Sequence, residues 1–573
     1  MMFTYMSQDE LVHRSAGLDQ YGLLFSPEIL AEQNGFWGVE GETCMDVDLF
    51  GHVAGFECDS TISALPISKS YSYEDFGCSD SLSPDVAETR KVVGKDNLER
   101  SAHEKRGGFL FRSESFEILK RYGSRCRKLD FQKVNDTEPR IGNDAATLSA
   151  ETIIRLAAER FIQSISRSSD EISVLSHPYP SAILCHSAGD SESVQLVQNL
   201  LSCVEKVGEQ RYESARKLLE GCDRLGSSSS GSPIQRLVFY FTEALHERID
   251  RETGRVTSKG LGKKFEDPIK AWTAVNNSIL IAFHNKLPLS QITKFAGIQA
   301  ILDHVAGTGK IHVIDFEIRT GLHITILMQA LAVRCEHPVE HLKVTAVGTR
   351  SKKTLEEANR RLTSFAESLK LKFSFSVMMV EDILDLDPAM FELESEEKVA
   401  IFAAYTLTNM IVQPNRLEHL IRVIRTISPC VMVVSEVEGN CNSPIFEDRF
   451  VEALFFYGSY YEAIAACLKD DEEFRTAAES VCFGSSIRNI VACEGEERKI
   501  RHVSISVWRA FFTSFGLEEV ELSMSSLYQA NLVLNNFACG DSFTFAVDGK
   551  SLIIGWKGSP LSSLSAWKFY SVL

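Results

Sequence analysis

Ile311-His-Val-Ile-Asp-Phe316 is the stretch on which the reading of the fold turns. It is a short apolar run of strand length, and residues 322–333 after it form an apolar run of helix length. The alternation then continues. The pattern predicts further strands at 342–347, 373–380, 399–404 and 430–435, with helices at 353–369 and 415–427. Strands that alternate with helices require right-handed crossovers, and these build a mostly parallel sheet.

Working towards the C-terminus, the rhythm changes. Phe543-Thr-Phe-Ala-Val547 and Ser551-Leu-Ile-Ile-Gly-Trp556 flank Asp548-Gly549, a dipeptide that signals a type I′ hairpin. A parallel sheet finished by an antiparallel hairpin is the pattern of a Rossmann-like, class I methyltransferase-like α/β domain. Residues 306–573 are therefore expected to form such a core, an analogy at the level of fold.

Working towards the N-terminus, residues 146–305 read as a helical cap. Ser149 precedes a helix whose Ile153, Ile154, Ala157 and Phe161 recur at helical spacing. A second helix spans 191–207, 212–219 continue the pattern, and Pro233 opens another after the break at Ser227 to Ser230. Two stripes, Leu196, Leu200 and Leu201 on one helix and Leu237, Phe241 and Leu245 on another, exceed what a small cap needs. They are expected to form a face for dimerisation or for a partner, with coverage of the sheet edge as the alternative. Residues 1–145 lack periodicity and mix acidic residues with isolated aromatics. They are predicted to be a disordered arm suited to docking or activation. Lys120-Arg-Tyr-Gly-Ser-Arg-Cys-Arg-Lys128 within it is a candidate nuclear import signal.

Composition narrows the chemistry. A net charge of −18 opposes a whole-molecule electrostatic grip on duplex DNA. The 14 cysteines form no CxxC pair, so reduced thiols are expected rather than a metal site or a disulfide framework. The N-terminus lacks a secretory pattern, and no apolar stretch reaches membrane-spanning length. A nucleotide-binding version of the core needs glycines after its first strand, where the backbone must approach the cofactor. Here that turn reads Asp315-Phe-Glu-Ile-Arg-Thr-Gly321, with one glycine among bulky and charged residues. The end of the second strand, Val347-Gly-Thr-Arg350, offers no carboxylate for a ribose. His312, in mid-strand among apolar neighbours, suits a hydrogen-bonded core histidine better than a general base. No catalytic, cofactor-binding or metal-binding residue is therefore assigned.

Four strings in order carry a resemblance. They are the Ile311 block with His312, Ile314 and Asp315; Pro444-Ile-Phe-Glu-Asp-Arg449-Phe450 with Phe446; Arg498-Lys-Ile-Arg501 with Trp508 beyond it; and the terminal Gly555-Trp556 and Ser565-Ala-Trp567. Together with Lys294-Phe-Ala-Gly-Ile-Gln-Ala-Ile301 they resemble the GRAS family of plant regulatory proteins, over residues 148–573. The match is to its VHIID, PFYRE, RVER and SAW blocks, although the RVER element lacks its central Val and Glu. The spacing is most similar to the DELLA branch. Asp9-Glu-Leu-Val-His13 matches only part of the string that names that branch, and what receptor docking requires after it is missing.

The resemblance implies a non-enzymatic transcriptional regulator that acts in the nucleus through DNA-binding transcription factors and other GRAS proteins. It implies homo- or heterodimers, indirect or weak DNA contact, no membrane and no cofactor. Two alternatives remain: direct sequence-specific DNA binding, and an S-adenosylmethionine-dependent methyltransferase, which the glycine-poor turn disfavours.

Overall fold

The computed structural model describes residues 148–166, 188–227, 230–255, 277–316, 318–335, 337–348 and 352–570. The expected arm 1–145, its basic cluster and the Asp9 string lie outside the described residues.

The chain enters through four helices: α1 (Ala150–Ser166), α2 (Ala188–Gly208), α3 (Tyr212–Leu225) and α4 (Pro233–Glu252). The start of α4 is written in its sequence. The Ser232 hydroxyl accepts from the Gln235 backbone N–H, the Gln235 side chain accepts from the Ser232 N–H, and Pro233 fills the first turn. Those contacts satisfy amide groups that a helix start otherwise leaves open. Two further helices follow, α5 (Asn277–Lys286) and α6 (Pro288–His304), and α6 leads into the sheet.

The sheet holds β1 (Lys310–Asp315), β2 (His341–Gly348), β3 (Phe373–Met379), β4 (Lys398–Ala404) and β5 (Val431–Val437), all parallel. Between them run α7 (Leu322–Ala332), α8 (Lys352–Ser368) and α9 (Pro414–Ile427). After β5 come α10 (Phe446–Cys467), α11 (Glu472–Ala477), a π-helical turn at Ala478–Gly484, α12 (Ser485–Ala492) and α13 (Ile505–Ser514). The chain ends with β6 (Leu517–Val520), α14 (Met524–Asn535), β7 (Phe543–Asp548), β8 (Ser551–Trp556) and β9 (Ser559–Phe569). The strand order is β3-β2-β1-β4-β5-β9-β8-β7, with β6 also paired to β9. This is the expected Rossmann-like, methyltransferase-like sheet with an antiparallel C-terminal part, under a helical cap.

One face of the sheet receives α6. A Cβ added at Gly297 would sit 3.1 Å from Phe402, 3.3 Å from Val433 and 3.4 Å from Leu564, so glycine lets this helix lie close on β4, β5 and β9. The other face carries α9 and α13, whose Leu417, Ile421, Trp508 and Phe512 pack with Ile314, Ile401, Val434 and Trp567 in one core.

β9 was not anticipated as a strand, because Ser-Pro-Leu-Ser-Ser-Leu-Ser-Ala-Trp is too polar to read as a buried one. It is nevertheless central, antiparallel to β5 on one side and to β8 and β6 on the other. Its serines are small, and their buried hydroxyls find acceptors, the Glu151 carboxylate for Ser559 and backbone carbonyls for the rest. Ser562 donates to Glu436 at 3.0 Å and Ser565 to Val434 at 3.3 Å. A polar side chain so satisfied is tolerated at the centre of a sheet.

Three expectations are corrected. The hairpin loop is Gly549-Lys550, since Asp548 pairs with Ser551. Only Gly549 has positive φ, at 62°, whereas type I′ requires it at both loop residues. The cap is not one continuous segment, because α10 and α12 join it from within 306–573. Phe241 meets Phe450 edge-on at 5.0 Å, and Gly458 of α10 faces Ile154 and Leu237. For the same reason no apolar stripe is left over. Leu196, Leu200, Leu201, Leu237, Phe241 and Leu245 are each at most 3% exposed, covered within this chain, and offer no free face to a partner.

Candidate functional site

In an open α/β sheet the ligand site lies at the carboxyl ends of the strands, where the strand order reverses. Here that point falls between β1 and β4, and a cavity of about 250 Å³ opens there. Asp315, Ile318, Arg319, Phe402 and Tyr405 border it from the sheet. Phe283 and Leu287 from α5 and its end, Ser290 and Lys294 from α6, and Phe456, Tyr457 and Tyr460 from α10 complete an aromatic and aliphatic wall. His502 closes it from the segment after α12.

The titratable groups here are mostly already engaged. Asp315 accepts a hydrogen bond from His323 Nε2, and the His323 ring stacks on Phe402 with centroids 4.6 Å apart. Tyr457 and His502 share a contact of 3.3 Å between Oη and Nε2. Burial drives His502 down to about 4, so the ring is neutral, and drives the Tyr457 and Tyr460 hydroxyls well up.

Lys294 differs from these groups. Its Nζ lies 3.1 Å from Ser290 Oγ and 3.1 Å from His284 Nδ1. Burial, and then the charge of Arg319, push it down to about 7. His284 is itself held well below its usual range, first by burial and then by Lys294, so its Nδ1 is free to accept from the lysine.

A nucleotide or sulfonium cofactor does not fit the turn after β1. Phe316 and Ile318 are buried there, and Arg319 holds φ at 46°, a left-handed conformation that glycine adopts without cost. The bulk therefore stands where a cofactor would need bare backbone. The acid at the strand end is bound to His323. Among the described residues no group of His, Cys, Asp and Glu is arranged to hold a metal, and no helix is long and apolar enough to cross a membrane.

Of the string residues, Lys294, Asp315 and Ile500 border the cavity and the others lie elsewhere. His312 is buried, with Nδ1 2.9 Å from Glu397 Oε1 and Nε2 2.8 Å from Thr345 Oγ1. Ile314, Trp508 and Trp567 belong to the core, and Trp556 is buried in β8. Phe446 is buried, whereas Pro444 is exposed. Arg449 is fully buried. It donates to the carbonyls of Ile490 at 3.0 Å and Pro444 at 3.2 Å, and pairs with Glu494. Arg498 donates to the Cys441 carbonyl and Arg501 to Asn442 Oδ1. These arginines tie the loop before α10 to the segment after α12. Sequence reasoning missed Lys294, His284 and His323 as cavity residues. The available signal was a single lysine in the middle of α6, among Ile292, Ala296, Gly297 and Ile298.

Glu436 sits behind the cavity on β5, 1% exposed. Its Oε1 accepts the backbone N–H of Leu407 at 2.8 Å and of Thr408 at 3.3 Å. Burial outweighs these bonds and pushes the carboxyl up to about 8. The folded value thus exceeds the unfolded one near 4.5. The resulting stability is complete below about pH 4.5 and is lost as pH rises towards 8. Glu436→Gln keeps the acceptor and cannot ionise. It is expected to gain stability over the natural chain at pH 8.5 but not at pH 5, by urea unfolding. An equal difference at both pH values would show that Glu436 does not titrate in this way.

The comparisons agree with this architecture. The model of the GRAS domain family matches residues 196–568. DELLA protein GAI1 of Vitis vinifera is 30% identical over 379 residues, covering 65% of this chain and 62% of that protein. DELLA protein 2 of Medicago truncatula is 31% identical over 382 residues, covering 66% of this chain and 68% of that protein. The match thus spans about two thirds of either relative. SCL7 of Oryza sativa is similar in structure, with a TM-score of 0.56, 27% identity, and coverage of 65% of this chain and 99% of that one.

Proposed function

This chain belongs to the GRAS domain family, and from that premise we propose that it is a non-enzymatic transcriptional regulator. It acts in the nucleus by binding DNA-binding transcription factors and other GRAS proteins, as a homo- or heterodimer, with DNA contact indirect or weak. In this reading residues 1–145 are a docking arm dispensable for folding, and the rest of the chain is the GRAS domain.

The observation that carries the reading is the turn after β1. Ile318 and Arg319 fill it and His323 occupies Asp315, so the turn that would present bare backbone to a cofactor is filled with side chains. The net charge of −18 favours protein partners over the phosphate backbone.

The full chain fused to a heterologous DNA-binding domain is expected to change expression of a matched reporter in plant protoplasts and to accumulate in nuclei. An unchanged reporter together with nuclear exclusion would sink the reading. Calorimetric binding of S-adenosylmethionine would favour a methyltransferase instead. Binding to random duplexes that weakens steeply with salt would favour direct DNA contact.

A further inference from the structure

A cation set into an apolar wall needs a counter-charge, because desolvation of an unpaired ammonium is costly. Lys294 has none among the described residues. Its contacts are Ser290 and His284, both uncharged partners, and its charged neighbour in the wall is another cation, Arg319. The carboxylate on the same cavity, Asp315, is committed to His323. Two cations thus meet at one cavity whose other walls are Phe283, Phe456 and Tyr460.

We propose that this cavity binds a small organic anion with an apolar body, whose anionic head meets Lys294 while its body lies against the aromatic wall. The ligand supplies the counter-charge that Lys294 lacks among the described residues. The depressed value of Lys294 fits this arrangement, since an anion beside the amine restores its protonated form. Pockets of this kind pair a mostly apolar lining with a few placed polar groups. The inference goes beyond the transcriptional reading and does not depend on it.

Octanoate and 1-octanol serve as probes of the full-length chain, being alike in body and different in charge. By titration calorimetry octanoate is expected to bind at least about tenfold more tightly than octanol, the scale of a charge-assisted hydrogen bond. Lys294→Met should remove that preference and leave octanol binding unchanged, whereas Lys294→Arg should keep it.

A second measurement needs no variant. Limited acetylation of the natural chain, read by peptide mass spectrometry, should show Lys294 protected by octanoate but not by octanol. Equal binding of the two probes, or equal labelling of Lys294 with and without octanoate, would overturn the proposal, whatever the reporter experiment gives.

Discussion

Trp567→Ala is expected to destabilise the folded chain by about 3–5 kcal/mol, the range for removing a buried large aromatic. Trp567 has no exposed surface. It lies on β9 opposite Met432 of β5 and Glu519 of β6, so it sits where parallel and antiparallel parts of the sheet join. Its ring packs on Phe512 of α13 with centroids 4.7 Å apart, and its Nε1–H donates to Ser565 Oγ at 2.8 Å. The buried indole is therefore both packed and hydrogen-bonded. Chemical denaturation should show a lower midpoint, and Trp567→Phe should recover much of the loss. If the alanine variant unfolds like the natural chain yet loses partner binding, Trp567 is a contact residue rather than a structural one.

Arg236→Met is expected to cost a similar amount, about 3–5 kcal/mol, because it leaves a buried carboxylate without its main partner. Arg236 on α4 and Glu479 on the π-helical turn are 5% and 0% exposed, and they meet through two guanidinium nitrogens at 2.8 to 3.0 Å. Arg475 approaches the same carboxylate at 3.4 Å and offsets only part of the loss. Burial raises the Glu479 carboxyl despite both arginines, so the single variant should be less unstable at acid pH, where the carboxyl protonates. The double variant Arg236→Met with Glu479→Gln should recover most of the stability, since no unpaired charge remains. A double variant as unstable as the single one would show that the loss comes from packing instead.

Both predictions concern joints between segments distant in sequence, and these were the least legible parts. The Rossmann-like core was legible because its parallel strands are short, mostly apolar runs, most of them followed by a helix, as at Ile311 and at residues 399–404. Periodicity is a local property, and the strands it predicted appear within one or two residues of their expected ends. The antiparallel finish was legible from Gly549, although the loop proved one residue further along.

The stripes of α2 and α4 show where local reading fails. The sequence shows that Leu196 and Leu237 face something apolar, but not what. In the folded chain α10 and α12, more than 200 residues downstream, help supply the cover, and the surplus disappears into a core. The cavity was hidden for the same reason. Lys294, Arg319 and Tyr460 are unremarkable in three separate segments, and their meeting depends on how α6 and α10 cross the sheet end.

By itself, then, the sequence determined the order of the parallel strands and the helices between them, the closing hairpin, the glycine-poor turn after β1 and the strings that carry the family likeness. All of these rest on neighbours along the chain. Only the tertiary structure decided that a serine-rich tail runs through the centre of the sheet, that the arginines of two separate strings tie one loop to a distant segment, and that a lysine lacks a counter-charge among the described residues. Those depend on burial and on partners across the fold, and hydrogen-bond satisfaction and desolvation act on whichever groups the packing brings together.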